Sequence, residues 1–169
     1  MRVKMDIVVG YIELMKTHAI VNAANGALFR GTGVDGAIRH AAGPELDALL
    51  ATYPGLGEGQ ALLTPGFNLK ARYVIHTVAP IWFASDEEEK KIALLTQCYR
   101  SCLETARGAE CKSIAFPAIG TGNFGWPREL GAEIAIKAAR AHGEGLRVTF
   151  CCFTKDDAAV YKKALAAKG

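Results

Sequence analysis

The sequence has no apolar run approaching the roughly 18 residues a helix needs to cross a bilayer, which excludes a protein built on membrane-spanning helices. Its first ten residues lack the long apolar stretch and small-residue cleavage site of a secretory leader, and Asp6 interrupts them, so they read as a first strand. No basic tract is present. The net charge of +3 is spread over interspersed Lys, Arg, Asp and Glu, and no specific nucleic-acid surface is expected. The cysteines (Cys98, Cys102, Cys111, Cys151 and Cys152) form no CxxC pair and are odd in number. Reduced, buried thiols in a cytoplasmic protein are expected, rather than a disulfide framework or a zinc site. No His/Cys/Asp cluster has metal-ligand spacing, and no GxxxxGK[ST] run supports a P-loop nucleotidase; a nicotinamide-binding Rossmann enzyme is not expected either. Repeats, low-complexity stretches and linkers are absent as well.

What is present is a chain of 169 residues, half of them hydrophobic and 22% charged, which matches one folded globular domain. Strand-like stretches and helical patterns alternate along it. Val3–Val9, Ala19–Val21, Arg72–Val78, Ser113–Phe116 and Leu146–Phe153 are apolar and rich in β-branched or aromatic residues. Between them, Val34, Ile38, Ala41 and Ala42 recur at helical spacing up to Gly43-Pro44, and Pro44 can open the next helix. Ser85-Asp86-Glu87-Glu88 has the form of a capping box ahead of an apolar stripe through Ile92, Leu95, Tyr99, Cys102, Leu103 and Ala106. Pro127 opens a helix carrying Leu130, Ile134, Ala138 and Ala141, and Lys155–Ala167 forms a terminal helix. Such alternation predicts an α/β domain with its sheet covered on both faces and its ligand at the carboxyl ends of the strands.

Two post-strand loops are chemically unusual. The first runs from Val21 to Gly36, with glycines at 26, 31, 33 and 36 and with Asn22, Asn25 and Asp35 among them. Glycines allow close backbone approach, and a helix start offers free N–H groups to an anion. The second, Phe116–Pro127, adds Gly120, Gly122 and Gly125 with the flat faces of Phe124 and Trp126. Two phosphate-cradle-like loops on one sheet suit a ligand with two phosphates or one diphosphate.

At these loops the sequence resembles the macro domain, an ADP-ribose-binding module, and more narrowly the MacroD-type ADP-ribosyl hydrolases. The resemblance is carried by Ala19–Asn25, Gly33–Ile38, Ala41–Gly43, Thr64–Leu69, Tyr73–Val78 and Ser113–Pro127, in the family's order over nearly the whole chain. It implies a three-layer α/β/α sandwich with a mixed central sheet, a single domain over residues 1–169, and no cofactor or metal. It also implies ADP-ribose or an ADP-ribosylated protein as partner. Asn25 and Asp35 take the catalytic positions around the distal ribose, with Asp35 positioning or activating the attacking water. Tyr11, Ile12, Ala23, Gly31, Gly33, Val34, Gly120, Thr121, Gly122, Asn123 and Phe124 take ligand-binding positions. The reaction implied is hydrolysis of an ester between ADP-ribose and protein Asp or Glu, or of O-acetyl-ADP-ribose. A non-catalytic reader of ADP-ribose or a related metabolite, and an ADP-ribose 1″-phosphate phosphatase, are the alternatives.

Asp35 lies near a helix start, where the dipole favours the carboxylate, and Asn25 can both donate to and accept from ribose hydroxyls. The sequence departs from the family pattern at Tyr11, where an Asp commonly meets the adenine amino group, at Arg30 and Thr32 within the glycine run, and at Gly120, where Ser is common. His76 reads as a satisfied core or strand-end histidine rather than a base. Asn22 reads as tying the turn after its strand, and Trp126 divides between lining the cleft and packing the helix start.

Overall fold

The structure is a computed structural model and describes residues 2–167. Six strands, β1 (Lys4–Val9), β2 (Ala19–Ala23), β3 (Ala61–Pro65), β4 (Tyr73–Thr77), β5 (Ser113–Phe116) and β6 (Arg147–Cys152), form one sheet in the order β1-β6-β5-β2-β4-β3. All neighbours are parallel except β3, which runs antiparallel to β4 at the edge and makes the sheet mixed. Five helices, α1 (Gly33–Ala42), α2 (Pro44–Leu50), α3 (Glu88–Gly108), α4 (Arg128–His142) and α5 (Lys155–Ala166), complete the described chain with two short 3-10 turns at Ile12–Leu14 and Trp82–Ala84. None of these helices is long and apolar enough to cross a membrane.

The strands bury both faces by alternation. Ala19, Val21, Ile114, Phe116, Val148 and Phe150 point to one side, where α3, α4 and α5 deliver Leu95, Tyr99, Leu103, Ala135, Ala139 and Tyr161. Ile20, Val74, Ala115 and Cys151 point to the other, against Ile38 and Ala42 of α1 and Leu46 and Leu50 of α2. The result is the expected three-layer sandwich. All five cysteines are free and buried, and burial raises the Cys98, Cys102, Cys111, Cys151 and Cys152 thiols above their ordinary range.

One local expectation is corrected. Ser85 does not cap α3. The helix begins at Glu88 after Glu87, and Ser85 Oγ accepts only a long 3.4 Å bond from the Glu87 amide. What fixes this entry is Lys91, whose buried ammonium donates to the Trp82 and Ser85 carbonyls and lies 4.3 Å from the Trp82 ring centre. Strand β3 is an addition, since the composition of its residues does not predict a strand there.

Candidate functional site

Strands β2 and β5 are parallel neighbours, yet the chain leaves them toward opposite faces, from β2 to α1 and from β5 to α4. Adjacent strands whose connections diverge open a crevice at their carboxyl ends. The two glycine-rich loops, residues 24–32 and 117–127, both leave from there. Both also carry a G-x-G-x-x-G spacing, at Gly31, Gly33, Gly36 and at Gly120, Gly122, Gly125. Glycine spacing therefore does not separate this chain from a nicotinamide-binding enzyme; the mixed strand order does.

The first loop is folded by its own polar groups. Asn25 Nδ2 donates to the Phe29 carbonyl at 2.7 Å while Asn25 Oδ1 accepts from the Phe29 amide at 3.0 Å. This staple holds Leu28 in a left-handed conformation (φ +60°) with its side chain buried. Gly31 then passes so close to α1 that a Cβ on Gly36 would lie 2.7 Å from the Gly31 carbonyl oxygen. A Cβ on Gly31 itself would come within 3.4 Å of Asp35 Oδ2 and 3.9 Å of Asn25 Nδ2, so the two expected catalytic side chains converge on this glycine.

Asp35 is not the open carboxylate that its place in the first turn of α1 suggests; it is 4% exposed. Its Oδ1 accepts from Asn22 Nδ2 at 2.7 Å and from Arg39 Nε at 3.2 Å, and its Oδ2 accepts from the Gly31 amide at 2.6 Å. Oδ1 is thus saturated, and Oδ2 keeps one lone pair. Arg39, also buried, donates onward to the Leu28 carbonyl at 2.8 Å and to Asp47 Oδ1 at 3.2 Å. Asp47 Oδ2 in turn holds Arg30 at 3.2 Å, which explains the arginine inside the glycine run: it ties the loop to α2.

Behind Asp35 lies His76 on β4. It contacts Asn22 Nδ2 through Nδ1 at 3.1 Å and Thr64 Oγ1 through Nε2 at 3.0 Å. Burial, with help from the Arg39 charge and against that of Asp35, lowers its pKa to about 4, so it is neutral at pH 7. It is the satisfied core histidine expected. Asn22 is structural too, but it ties β2 to α1 and β4 rather than closing the turn.

In the second loop Gly120 takes φ +85°, and a Cβ there would strike the Trp126 indole at 2.7 Å. Glycine at this position meets a packing demand rather than adding freedom. Trp126 is buried, donating Nε1–H to the Pro80 carbonyl at 2.8 Å and packing on Trp82 with ring centres 4.9 Å apart. Of its two expected roles, packing is the one it takes. The Phe124 carbonyl accepts from the Trp82 amide at 2.8 Å, so the loop is braced by residues 80–82. Thr121 bonds back to the Ala118 carbonyl at 3.1 Å, Gly122 and Asn123 are exposed, and Phe124 is half-buried.

Gly33 and Gly122 face open space where a side chain would stand, and the α1 N-terminus has no side-chain cap from Thr32, which leaves close-approach positions on both loops. Val34, next to Gly33 in the chain, and Ala23, at the end of β2, are half-buried. Tyr11, 56% exposed, follows β1 and meets Phe153, which follows β6, edge-on at 5.8 Å. This places an aromatic pair on the same edge of the sheet as the two loops. The Ile12 side chain is buried in the α1 face of the core. Sequence reasoning missed Arg39, Thr64 and Phe153. The i,i+4 spacing of Asp35 and Arg39 was the one available signal.

An α/β protein with a glycine-lined, anion-competent crevice at a strand-order reversal is the class that this fold and site define. A family profile described as "Macro domain" matches residues 21–135. A macro domain-containing protein of Ralstonia nicotianae is 50% identical over 155 residues, covering 91% of this chain and 90% of that one. An O-acetyl-ADP-ribose deacetylase of Salmonella gallinarum is 40% identical, covering 98% and 96%. Among solved structures, an Oceanobacillus iheyensis macrodomain with ADP superposes with a TM-score of 0.89 at 40% identity, covering 94% of this chain and 88% of that one. The chain belongs to the macro domain family.

Proposed function

We propose that this protein binds ADP-ribose between the 24–32 and 117–127 loops and hydrolyses esters carried on the distal ribose, in ADP-ribosylated Asp or Glu side chains or in O-acetyl-ADP-ribose. The observation that carries this reading is the convergence of the Asn25 amide and the Asp35 carboxylate on Gly31, at the mouth of a cleft whose backbone N–H groups suit a diphosphate. Support comes from the relative named as a deacetylase and from the Oceanobacillus neighbour solved with ADP. In this reading the diphosphate lies against Gly33 at the start of α1 and against Gly120–Asn123, with Phe124 on the distal ribose. Tyr11 and Phe153 supply flat surface for the base. Asn25 orients the ribose hydroxyls with its remaining amide hydrogen, and the free lone pair on Asp35 Oδ2 holds the attacking water. Water adds one hydrogen to the ribose oxygen and its hydroxyl to the acyl group, giving free ADP-ribose and a carboxylic acid. Free, buried thiols suit the reducing cytoplasm as the site of action.

A second reading has its own observation. With three protein donors on Asp35, the carboxylate also serves as a clamp for the loop, as a non-catalytic reader of ADP-ribose would need. The deciding experiment measures release of ADP-ribose from a protein mono-ADP-ribosylated on Asp or Glu, and of acetate from O-acetyl-ADP-ribose, by the wild type and by Asp35→Ala. The hydrolase reading expects turnover by the wild type, reduced about 10²–10⁴-fold in the variant, with ADP-ribose affinity changed only a few-fold. Binding without turnover in the wild type would establish the reader instead. Equal loss of affinity and rate in the variant would take Asp35 out of the chemistry.

A further inference from the structure

Asn22, His76 and Thr64 are fully or almost fully buried, lie on three different strands, and form one chain of contacts ending on Asp35. The proton positions along this chain follow from charge. The Asn22 amide faces the Asp35 carboxylate at 2.7 Å, and a flipped amide would set carbonyl oxygen against carboxylate oxygen at that distance. Asn22 therefore presents its NH₂ group, one hydrogen to Asp35 and the other to His76. Nδ1 of His76 must then be the unprotonated nitrogen, and its proton sits on Nε2, donating to Thr64 Oγ1. Asn22 Oδ1 finds no partner among the described residues, so the amide's orientation is dictated by the two acceptors it serves and not by its own carbonyl.

We propose that His76, with its single proton on Nε2, is a positioning residue of the site: it holds the Asn22 amide on Asp35 and thereby keeps the Asp35–Gly31 bond that shapes the 24–32 loop. Its only catalytic consequence rests on the hydrolase reading above; its structural consequence does not. The groups facing the imidazole are Asn22 from β2, Thr64 from β3, and the charges of Asp35 and Arg39 from α1. A burial contribution alone would be insensitive to which ring nitrogen is replaced, whereas a positioning role separates the two. His76→Asn supplies an acceptor near the place of Nδ1, His76→Gln reaches the place of Nε2, and His76→Leu supplies neither.

Long-range ¹H–¹⁵N NMR of the wild type at pH 7 reads the tautomer, and amide hydrogen exchange reads the Gly31 bond to Asp35. The expectation is an Nε2–H imidazole and a protected Gly31 amide. That protection stays within about 3-fold in His76→Asn and drops by about 10-fold or more in His76→Gln and His76→Leu. Turnover should follow the same order through kcat, with KM nearly constant. An Nδ1–H or doubly protonated ring in the wild type overturns the proposal. So does Gly31 protection that ranks with side-chain volume, or that none of the substitutions moves. If His76→Leu does not fold, the Asn and Gln variants decide. A wild type that turns over no ester refutes the hydrolase while exchange and tautomer still settle the role of His76; turnover with a Gly31 amide indifferent to position 76 refutes this role alone.

Discussion

Gly120 illustrates how a single position in the cleft is dictated by packing. Its left-handed backbone and the Trp126 indole lying where a Cβ would go act together, and Trp126 has no room to retreat because Pro80 and Trp82 hold it. Gly120→Ala should lower stability by about 1–3 kcal/mol, combining backbone strain with overpacking. Urea denaturation measures that loss, and a shift in tryptophan emission would show the indole leaving the Pro80 carbonyl. An unchanged midpoint would mean that the loop relaxes freely, contrary to its bracing. Among the residues of the candidate site, Asn25 and Asp35 stand out in the sequence as an amide and a carboxylate among glycines, and the family resemblance gives them their expected places. The chain of contacts behind them was not. Thr64 stands 12 residues and Asn22 stands 54 residues from His76, and nothing local marks either as its partner; only the pairing of their strands joins them.

At the scale of elements, α1, α2 and the 24–32 loop act as one unit through Arg39. That guanidinium satisfies Asp35 on its own helix, Asp47 on α2 and the Leu28 carbonyl in the loop. Arg39→Leu would leave a buried carboxylate without its cation and should cost about 3–5 kcal/mol, readable in chemical denaturation. Adding Asp35→Asn should restore part of that loss, because the uncompensated charge goes with it; no recovery would show that Arg39 acts mainly through Leu28 and Asp47. The elements themselves were largely legible. Ser113–Phe116 is a strand with the bounds its composition suggests, and the strands over 3–9, 72–78 and 146–153 are each found within a residue or so at either end. Ala61–Pro65 was not legible, because it has little β-branching and ends in proline; its pairing with β4 at the sheet edge makes it a strand. The Ser85 capping box failed for a related reason. A tertiary contact, Lys91 reaching back to the Trp82 and Ser85 carbonyls, sets the start of α3.

For the molecule as a whole, His76 links acid to unfolding. Its folded pKa of about 4 lies below the ordinary 6.5, so the unfolded chain binds the extra proton first as the pH falls. The His76 contribution is therefore complete above pH 6.5 and is lost as the pH drops through the window down to about 4, by about 3 kcal/mol in total. Urea midpoints across that window should fall more steeply for the wild type than for His76→Asn. Parallel slopes would place the acid sensitivity elsewhere.

The strand order also bears on synthesis. Within the sheet β1 pairs only with β6, Lys4 standing opposite Arg147, so the first of the six strands to leave a ribosome waits for the sixth. Until then its backbone edge is unpaired, and β5 lacks the neighbour on its outer side. A nascent chain of this topology cannot complete its sheet from one end to the other as it emerges. Its final strand pairing waits until β6 has emerged, and until then the exposed edge is open to chaperones and to wrong partners.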